Sequence, residues 1–171
     1  PEWATKICLH HCGEPNLSQR PKGFTIQHIE NLKSFYQSLG WSRGPHLFID
    51  DDQVFGLTPL SEQGIHAPDF NRNAIGIEVL GDYDKEDPKS GRGESCWWTA
   101  FKTVRALTDW LGLPVNKDHI VFHRECKVTK EHLESLALLM SLLVAVSRLQ
   151  GVGLLEGFAR ETMNCAREKP A

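Results

Sequence analysis

The stretch at residues 64–84, GIHAPDFNRNAIGIEVLGDYD, constrains the fold more than any other part of the chain. Its apolar run at residues 74–80 predicts a buried β-strand, and Glu78 lies inside that run. A buried carboxylate without a partner costs several kcal/mol unless it is neutralised or lies beside a cation. Either Glu78 reaches solvent near the end of the strand, or it belongs to a site that stabilises a carboxylate.

Histidines at the ends of two other predicted strands favour the second alternative. The run KICLHH, Lys6–His11, predicts a strand that ends in His10 and His11, and the run HIVFH predicts another that ends in His123. Successive strand residues point to opposite faces, so only one histidine of the first pair can face a given site. Imidazole is the commonest ligand of catalytic zinc, which needs three protein ligands and an open position for water. A nearby carboxylate can accept a proton from that water, and a lysine can neutralise the oxyanion.

The remaining pattern predicts a single α/β domain with a mixed central β-sheet flanked by helices. Thr25 is expected to cap a helix that ends at Gly40, and residues 46–57 predict a hairpin that turns at Asp51 and Asp52. Residues 81–95 predict a surface loop, and a second helix is expected from about Ser95.

The end of the chain predicts a helical extension. Residues 133–149 are apolar almost all round and predict a buried or partner-facing helix, and residues 151–171 predict a second short helix and a charged tail. The first of these runs is too short and too polar for a membrane span. We therefore expect one domain at residues 1–132 and an extension at residues 133–171.

Composition narrows the possible functions. The net charge of −3 and the scattered Lys and Arg residues argue against nucleic-acid binding, which needs a concentrated basic face. Five cysteines without regular spacing predict buried thiols and no disulfide framework, although Cys8 and Cys12 could form a metal pair. The sequence begins without Met and without a signal-peptide pattern, so we expect a fragment or a processed chain and predict no localisation.

Four runs carry a resemblance to a known family: ICLHH, GWSRGPHLFIDDDQVF, GIHAPDFNRNAIGIEVLGDYD and HIVFHRE. In this order they resemble the type 2 N-acetylmuramoyl-L-alanine amidases, whose zinc fold is shared by AmpD, phage amidase lysozymes and peptidoglycan recognition proteins. The resemblance covers roughly residues 3–132. It implies zinc-dependent cleavage of the amide between N-acetylmuramic acid and L-alanine, in peptidoglycan or in muropeptides.

The resemblance also implies roles for individual residues. His10 and His123 match the first two zinc ligands, and Glu78 matches the glutamate that AmpD-like members use as catalytic acid and base. His66 and Asn71 match positions that line the substrate groove.

The segment before the hairpin departs from some members of the family. His46 matches a histidine that follows a catalytic tyrosine in some phage members, where it borders the substrate. Pro45 stands in the place of that tyrosine, which favours the use of Glu78 in this chain.

The third zinc ligand is a second departure, because the usual Pro-Gly after this ligand is missing. The family spacing of Lys, one residue and then the ligand puts Lys130 in the oxyanion place and His132 in the ligand place. Glu131 and Cys126 are alternative ligands. A segment that provides no third ligand would leave a weak or absent metal site.

Two other functions fit the same sequence. A degraded metal site would make the domain a non-catalytic module that binds peptidoglycan or muropeptides. The apolar C-terminal helices could instead make the chain an adaptor that forms oligomers.

Overall fold

Two parallel strands at the centre of the sheet, β1 (Lys6–His11) and β4 (Ala74–Val79), organise the fold. The computed structural model of the protein describes residues 1–126. The predicted helical extension, its boundary at residue 132 and its expected role in oligomer formation lie outside these residues. All of β4 except Glu78 is fully buried, as its apolar run predicts.

Three shorter strands complete a mixed sheet, which confirms the predicted architecture. They are β2 (Leu47–Ile49), β3 (Val54–Gly56) and β5 (Ile120–Phe122). The order across the sheet is β3-β2-β4-β1-β5, with β3 antiparallel to β2 and the other neighbours parallel. The β2–β3 pair is the hairpin that the sequence predicts.

The first helix, α1 (Ile26–Ser38), begins where its sequence predicts. The Thr25 hydroxyl accepts a hydrogen bond from the backbone N–H of His28 at 3.3 Å. In return the Thr25 N–H donates to Nδ1 of His28 at 3.2 Å. This reciprocal cap satisfies two backbone donors that a helix otherwise leaves unpaired at its start.

The second helix, α2 (Gly91–Leu111), begins at Gly91 and not near Ser95 as the periodicity predicts. Its first turn contains two glycines and no apolar residue, so a search for apolar spacing misses it. Gly93 is buried there, and a Cβ on it would lie 2.4 Å from the carbonyl oxygen of Asp87. The turn therefore needs glycine for close packing, although glycine weakens the helical signal.

One face of the sheet packs against α2 and forms the core. The buried residues that β1, β4 and β5 contribute to this core are Ile7, Leu9, Ile75, Ile77, Val79, Ile120 and Phe122. The buried helix residues are Cys96, Trp97, Ala100, Val104 and Leu107. Because side chains alternate along a strand, His10 and Glu78 lie on the opposite face. Among residues 1–126, no helix has the length and apolarity needed to cross a bilayer.

The position of β4 in the core predicts the cost of truncating one of its side chains. Ile77 is fully buried, so Ile77→Ala should lower the free energy of unfolding by about 2–5 kcal/mol through lost contacts and a cavity. Ile26→Ala is the matched control, because Ile26 is 69% exposed at the start of α1. Urea unfolding of both variants measures the difference, and equal effects would contradict the assignment of the core.

Candidate active site

The strand register brings His10 and Glu78 together. Their Cα atoms are partners in the β1–β4 ladder, so both side chains leave the sheet on the same face. His10 Nδ1 lies 3.6 Å from Glu78 Oε1. His11 lies on the other face, where its Nδ1 accepts a hydrogen bond from the backbone N–H of Tyr83 at 3.1 Å.

His123 reaches the same point from the neighbouring strand. It follows β5 directly as the first residue of a short 3-10 helix, His123–Cys126. Its Nδ1 lies 2.8 Å from Nδ1 of His10. Two lone pairs at this distance repel each other unless a proton or a cation lies between them. The pair therefore offers two ring nitrogens that can bind a metal ion beside a carboxylate.

Burial controls the protonation state of His10. Desolvation, with smaller contributions from His66 and His123, lowers the pKa of His10 to about 2. The ring is therefore neutral at neutral pH, which is the form that binds metals.

Glu78 has the opposite shift. Its side chain keeps 15% of its surface exposed, and burial of the carboxyl raises its pKa to about 8. A carboxyl group with a pKa near neutrality can accept and release protons at physiological pH. Glu78, the one charged residue of the apolar run at residues 74–80, therefore lies inside a cluster of polar side chains.

His66 joins the cluster from the loop that precedes β4. Its Nδ1 lies 3.1 Å from Nε2 of His10, and its Nε2 donates to the Ala74 carbonyl at 3.0 Å. Burial lowers the pKa of His66 to about 4, although the hydrogen bond to Ala74 opposes the shift. Both ring nitrogens of His66 therefore have partners within the protein.

Asn71 holds the loop that carries His66. Its Oδ1 accepts hydrogen bonds from the backbone N–H groups of His66 and Ala67, each at 2.8 Å. A side-chain oxygen that binds two successive backbone donors fixes the local chain direction. The predicted contact between Asn71 and substrate stays a prediction.

His46 lies behind His66 and is fully buried. Its Nδ1 accepts the backbone N–H of Gly76 at 2.9 Å, and its Nε2 donates to the carbonyl of Glu62 at 2.9 Å. The ring stacks on Trp3 with centroids 5.5 Å apart. The structure therefore places His46 in a supporting layer, and its predicted contact with substrate stays a prediction.

Cys8 is a further neighbour, for which the sequence predicts a buried thiol or a metal pair with Cys12 and no contact with the histidines. It precedes His10 by two positions on β1, so the two side chains share a face. Donor atoms of Cys8, His10 and His66 lie within 4.8 Å of one another. Strand alternation was the signal that could have found this grouping.

Tyr36 of α1 also borders the site, which helical periodicity alone does not reveal. Burial, followed by the charge of Glu78, raises its pKa to about 12. A Cβ on Gly44 would lie 2.5 Å from the Tyr36 ring, so this glycine permits close packing of the helix.

Three predicted site residues, Lys130, Glu131 and His132, lie outside the described residues, as does the side chain of Cys126.

Comparisons with known proteins identify the family to which the fold belongs. A family model described as N-acetylmuramoyl-L-alanine amidase matches residues 3–144. No curated protein sequence matches.

Solved structures of amidases and endolysins share the fold. The amidase LysC from Clostridium intestinale URNW is 21% identical, with a TM-score of 0.58 over 75% of each chain. The Ph2119 endolysin from Thermus scotoductus MAT2119 bacteriophage Ph2119 is 22% identical, with a TM-score of 0.55 over 74% of this chain and 75% of that one. The catalytic domain of XlyA is 20% identical, with a TM-score of 0.55 over 75% of this chain and 76% of that one.

Because Nδ1 of His10 and Nδ1 of His123 converge, we predict that metal binding needs the β1 histidine that shares their face of the sheet and not the one on the opposite face. His10→Ala should weaken zinc binding by more than about a hundredfold, which exceeds the effect of losing a supporting hydrogen bond. His11→Ala removes the adjacent imidazole from the opposite face and should leave the affinity unchanged. Competition with a chromogenic chelator measures both, and equal losses would contradict the site.

Proposed function

Because the chain belongs to the N-acetylmuramoyl-L-alanine amidase family, we propose that it is a zinc-dependent hydrolase that cleaves the amide between N-acetylmuramic acid and L-alanine. The observation that carries this proposal is the convergence of His10, His123 and Glu78 on one face of the sheet. Peptidoglycan and its muropeptide fragments are the proposed substrates.

The donor set suits zinc. The ring nitrogens of His10 and His123 face each other at 2.8 Å, and imidazole nitrogen is a preferred zinc ligand. We propose His132 as the third ligand, from the spacing of Lys130, Glu131 and His132. When bound, zinc supplies a Lewis acid that polarises a carbonyl group and lowers the pKa of water.

Glu78 carries the proton in the proposed reaction. It accepts a proton from the attacking water as the water oxygen bonds to the lactyl carbonyl carbon. It then donates that proton to the alanine nitrogen as the C–N bond breaks. The products are a lactyl carboxylic acid and a free amine, and Glu78 returns to its starting state. The pKa of about 8 supports a group that works in both directions near neutral pH.

Lys130 has the second catalytic role in this proposal. Attack on the carbonyl develops negative charge on its oxygen, and an ammonium group beside that oxygen lowers the barrier. The spacing of Lys130 two residues before the proposed ligand supports this role.

Glu78→Gln tests the catalytic assignment. It removes the proton acceptor but keeps the shape of the side chain, so hydrolysis should fall by about 10²–10⁴ while zinc is retained. Release of the L-alanine amino group from a purified muropeptide is the measured quantity. Glu30→Gln, the same change on the exposed side of α1, is the control. Full activity in Glu78→Gln would refute the assignment, and a chain that retains no zinc would favour a muropeptide-binding module.

The third ligand can be identified by comparing three substitutions. His132→Ala should lower the zinc content from one equivalent to near zero, because two imidazoles alone do not complete the site. Glu131→Gln and Cys126→Ala, which change the alternative donors, should retain zinc. Elemental analysis after gel filtration measures the content, and loss of zinc in either of the other variants would reassign the ligand.

A further inference from the structure

We propose that His66 is a positioning residue that fixes the tautomer of His10, so that His10 always presents the lone pair of Nδ1 to the metal. This inference rests on the proposed metal site. It assigns His66 a role within the protein, in place of the substrate contact that the family resemblance implies.

The direction of the two hydrogen bonds follows from one carbonyl group. The Ala74 oxygen can only accept, so Nε2 of His66 carries a proton and donates to it at 3.0 Å. In a neutral ring Nδ1 of His66 is then an acceptor. His10 Nε2, 3.1 Å away, must therefore donate to it.

The proton on Nε2 of His10 leaves Nδ1 without one. That nitrogen is the atom that faces His123 at 2.8 Å and Glu78 at 3.6 Å. The backbone of β4 thus determines, through one imidazole, which nitrogen of His10 is available to a cation. Hydrogen bonds of this kind orient metal-binding histidines and raise their basicity.

The hydrogen bonds that run from the Ala74 carbonyl through His66 to His10 are called the relay below. The residues around His66 hold its ring in the plane that these hydrogen bonds need. Gly76 lies beneath the ring, and a Cβ there would lie 2.4 Å from Cγ of His66. His46 lies edge-on to the ring with centroids 5.8 Å apart, and Asn71 fixes the backbone of the loop. Gly76 and Asn71 therefore support the position of His66 from two sides.

The proximity of Cys8 to both rings offers a different function for the same cluster. Cys8, His10 and His66 could themselves hold a metal ion, since their donor atoms lie within 4.8 Å of one another. That arrangement would need Nε2 of His10 without a proton. The hydrogen bond to His66 uses this nitrogen as a donor, so the relay and a metal ion at this position exclude each other.

Two measurements test the relay without any assay of hydrolysis. Nitrogen-15 NMR of the metal-free protein reports which nitrogen of His10 carries the proton, and chelator competition reports the affinity for Zn²⁺. The wild-type protein should carry the His10 proton on Nε2. His66→Leu removes the acceptor, so His10 should lose this preference and zinc affinity should fall about 10–100-fold.

Rescue by a conservative variant separates the relay from simple packing. His66→Asn keeps an acceptor oxygen close to the place of Nδ1, so it should recover most of the affinity and the Nε2 tautomer. Gly76→Ala keeps His66 but places a methyl group against its ring, so it should weaken zinc binding as His66→Leu does. Thermal unfolding of each variant confirms that it is folded.

Several results would overturn the proposal. These are an unchanged His10 tautomer and zinc affinity in His66→Leu, an unchanged affinity in Gly76→Ala, or no zinc binding by the wild-type chain. A rise in KM for muropeptide with unchanged zinc affinity in His66→Leu would return His66 to substrate contact.

Cys8→Ala should leave one equivalent of zinc bound with the wild-type affinity. A drop from two equivalents to one would instead assign the cluster to a second metal ion. A wild-type chain with the expected tautomer and zinc affinity that hydrolyses no muropeptide would refute the proposed function and leave this inference intact.

Discussion

The parallel pairing of β1 with β4 is the constraint on which the rest of the structure depends. Its register makes His10 and Glu78 lateral neighbours, and the alternation of side chains sends both to the face opposite α2. A slip by one residue would exchange the two faces, so that Ile77 would meet the polar cluster and Glu78 would enter the core. The burial of the isoleucine, leucine and valine side chains of β1 and β4 on the core face therefore also maintains the geometry of the site.

The polar face shows how a protein interior accommodates several ionisable groups. His46 binds backbone groups through both ring nitrogens, and His66 binds the Ala74 carbonyl through one nitrogen and His10 through the other. These hydrogen bonds remove the cost of burying the rings without partners. Glycine has a specific part in this arrangement, because Gly76 leaves room for the His66 ring directly above a central strand. Glu78 lies 3.6 Å from His10 on this face, and its raised pKa reflects the same shortage of water.

Much of the fold follows from local patterns, whereas the site depends on contacts between distant parts of the chain. Apolar runs and the Thr25 cap predict every strand of residues 1–126 and the start of α1, because period and capping are local properties. The start of α2 is missed because its first turn contains two glycines and no apolar residue. Gly93 allows close packing, and Gly91 has a positive φ of 54°, but neither contributes to a periodic apolar pattern. The roles of His46 and His66 were predicted from family resemblance alone. Their hydrogen bonds to Gly76 and Ala74 depend on how the loop folds over β4, which no local pattern encodes.

The location of β5 has a consequence for how stability and metal occupancy influence each other. This strand has three residues and leads directly into His123, and within residues 1–126 its only partner strand is β1. Short strands at a sheet margin open more readily than central ones, and such opening would carry this imidazole away from its counterpart. A cation held by both rings would join the margin to the centre and disfavour the open form. If the proposed metal ion binds, its occupancy and the protection of the β5 amides from hydrogen exchange should therefore rise and fall together.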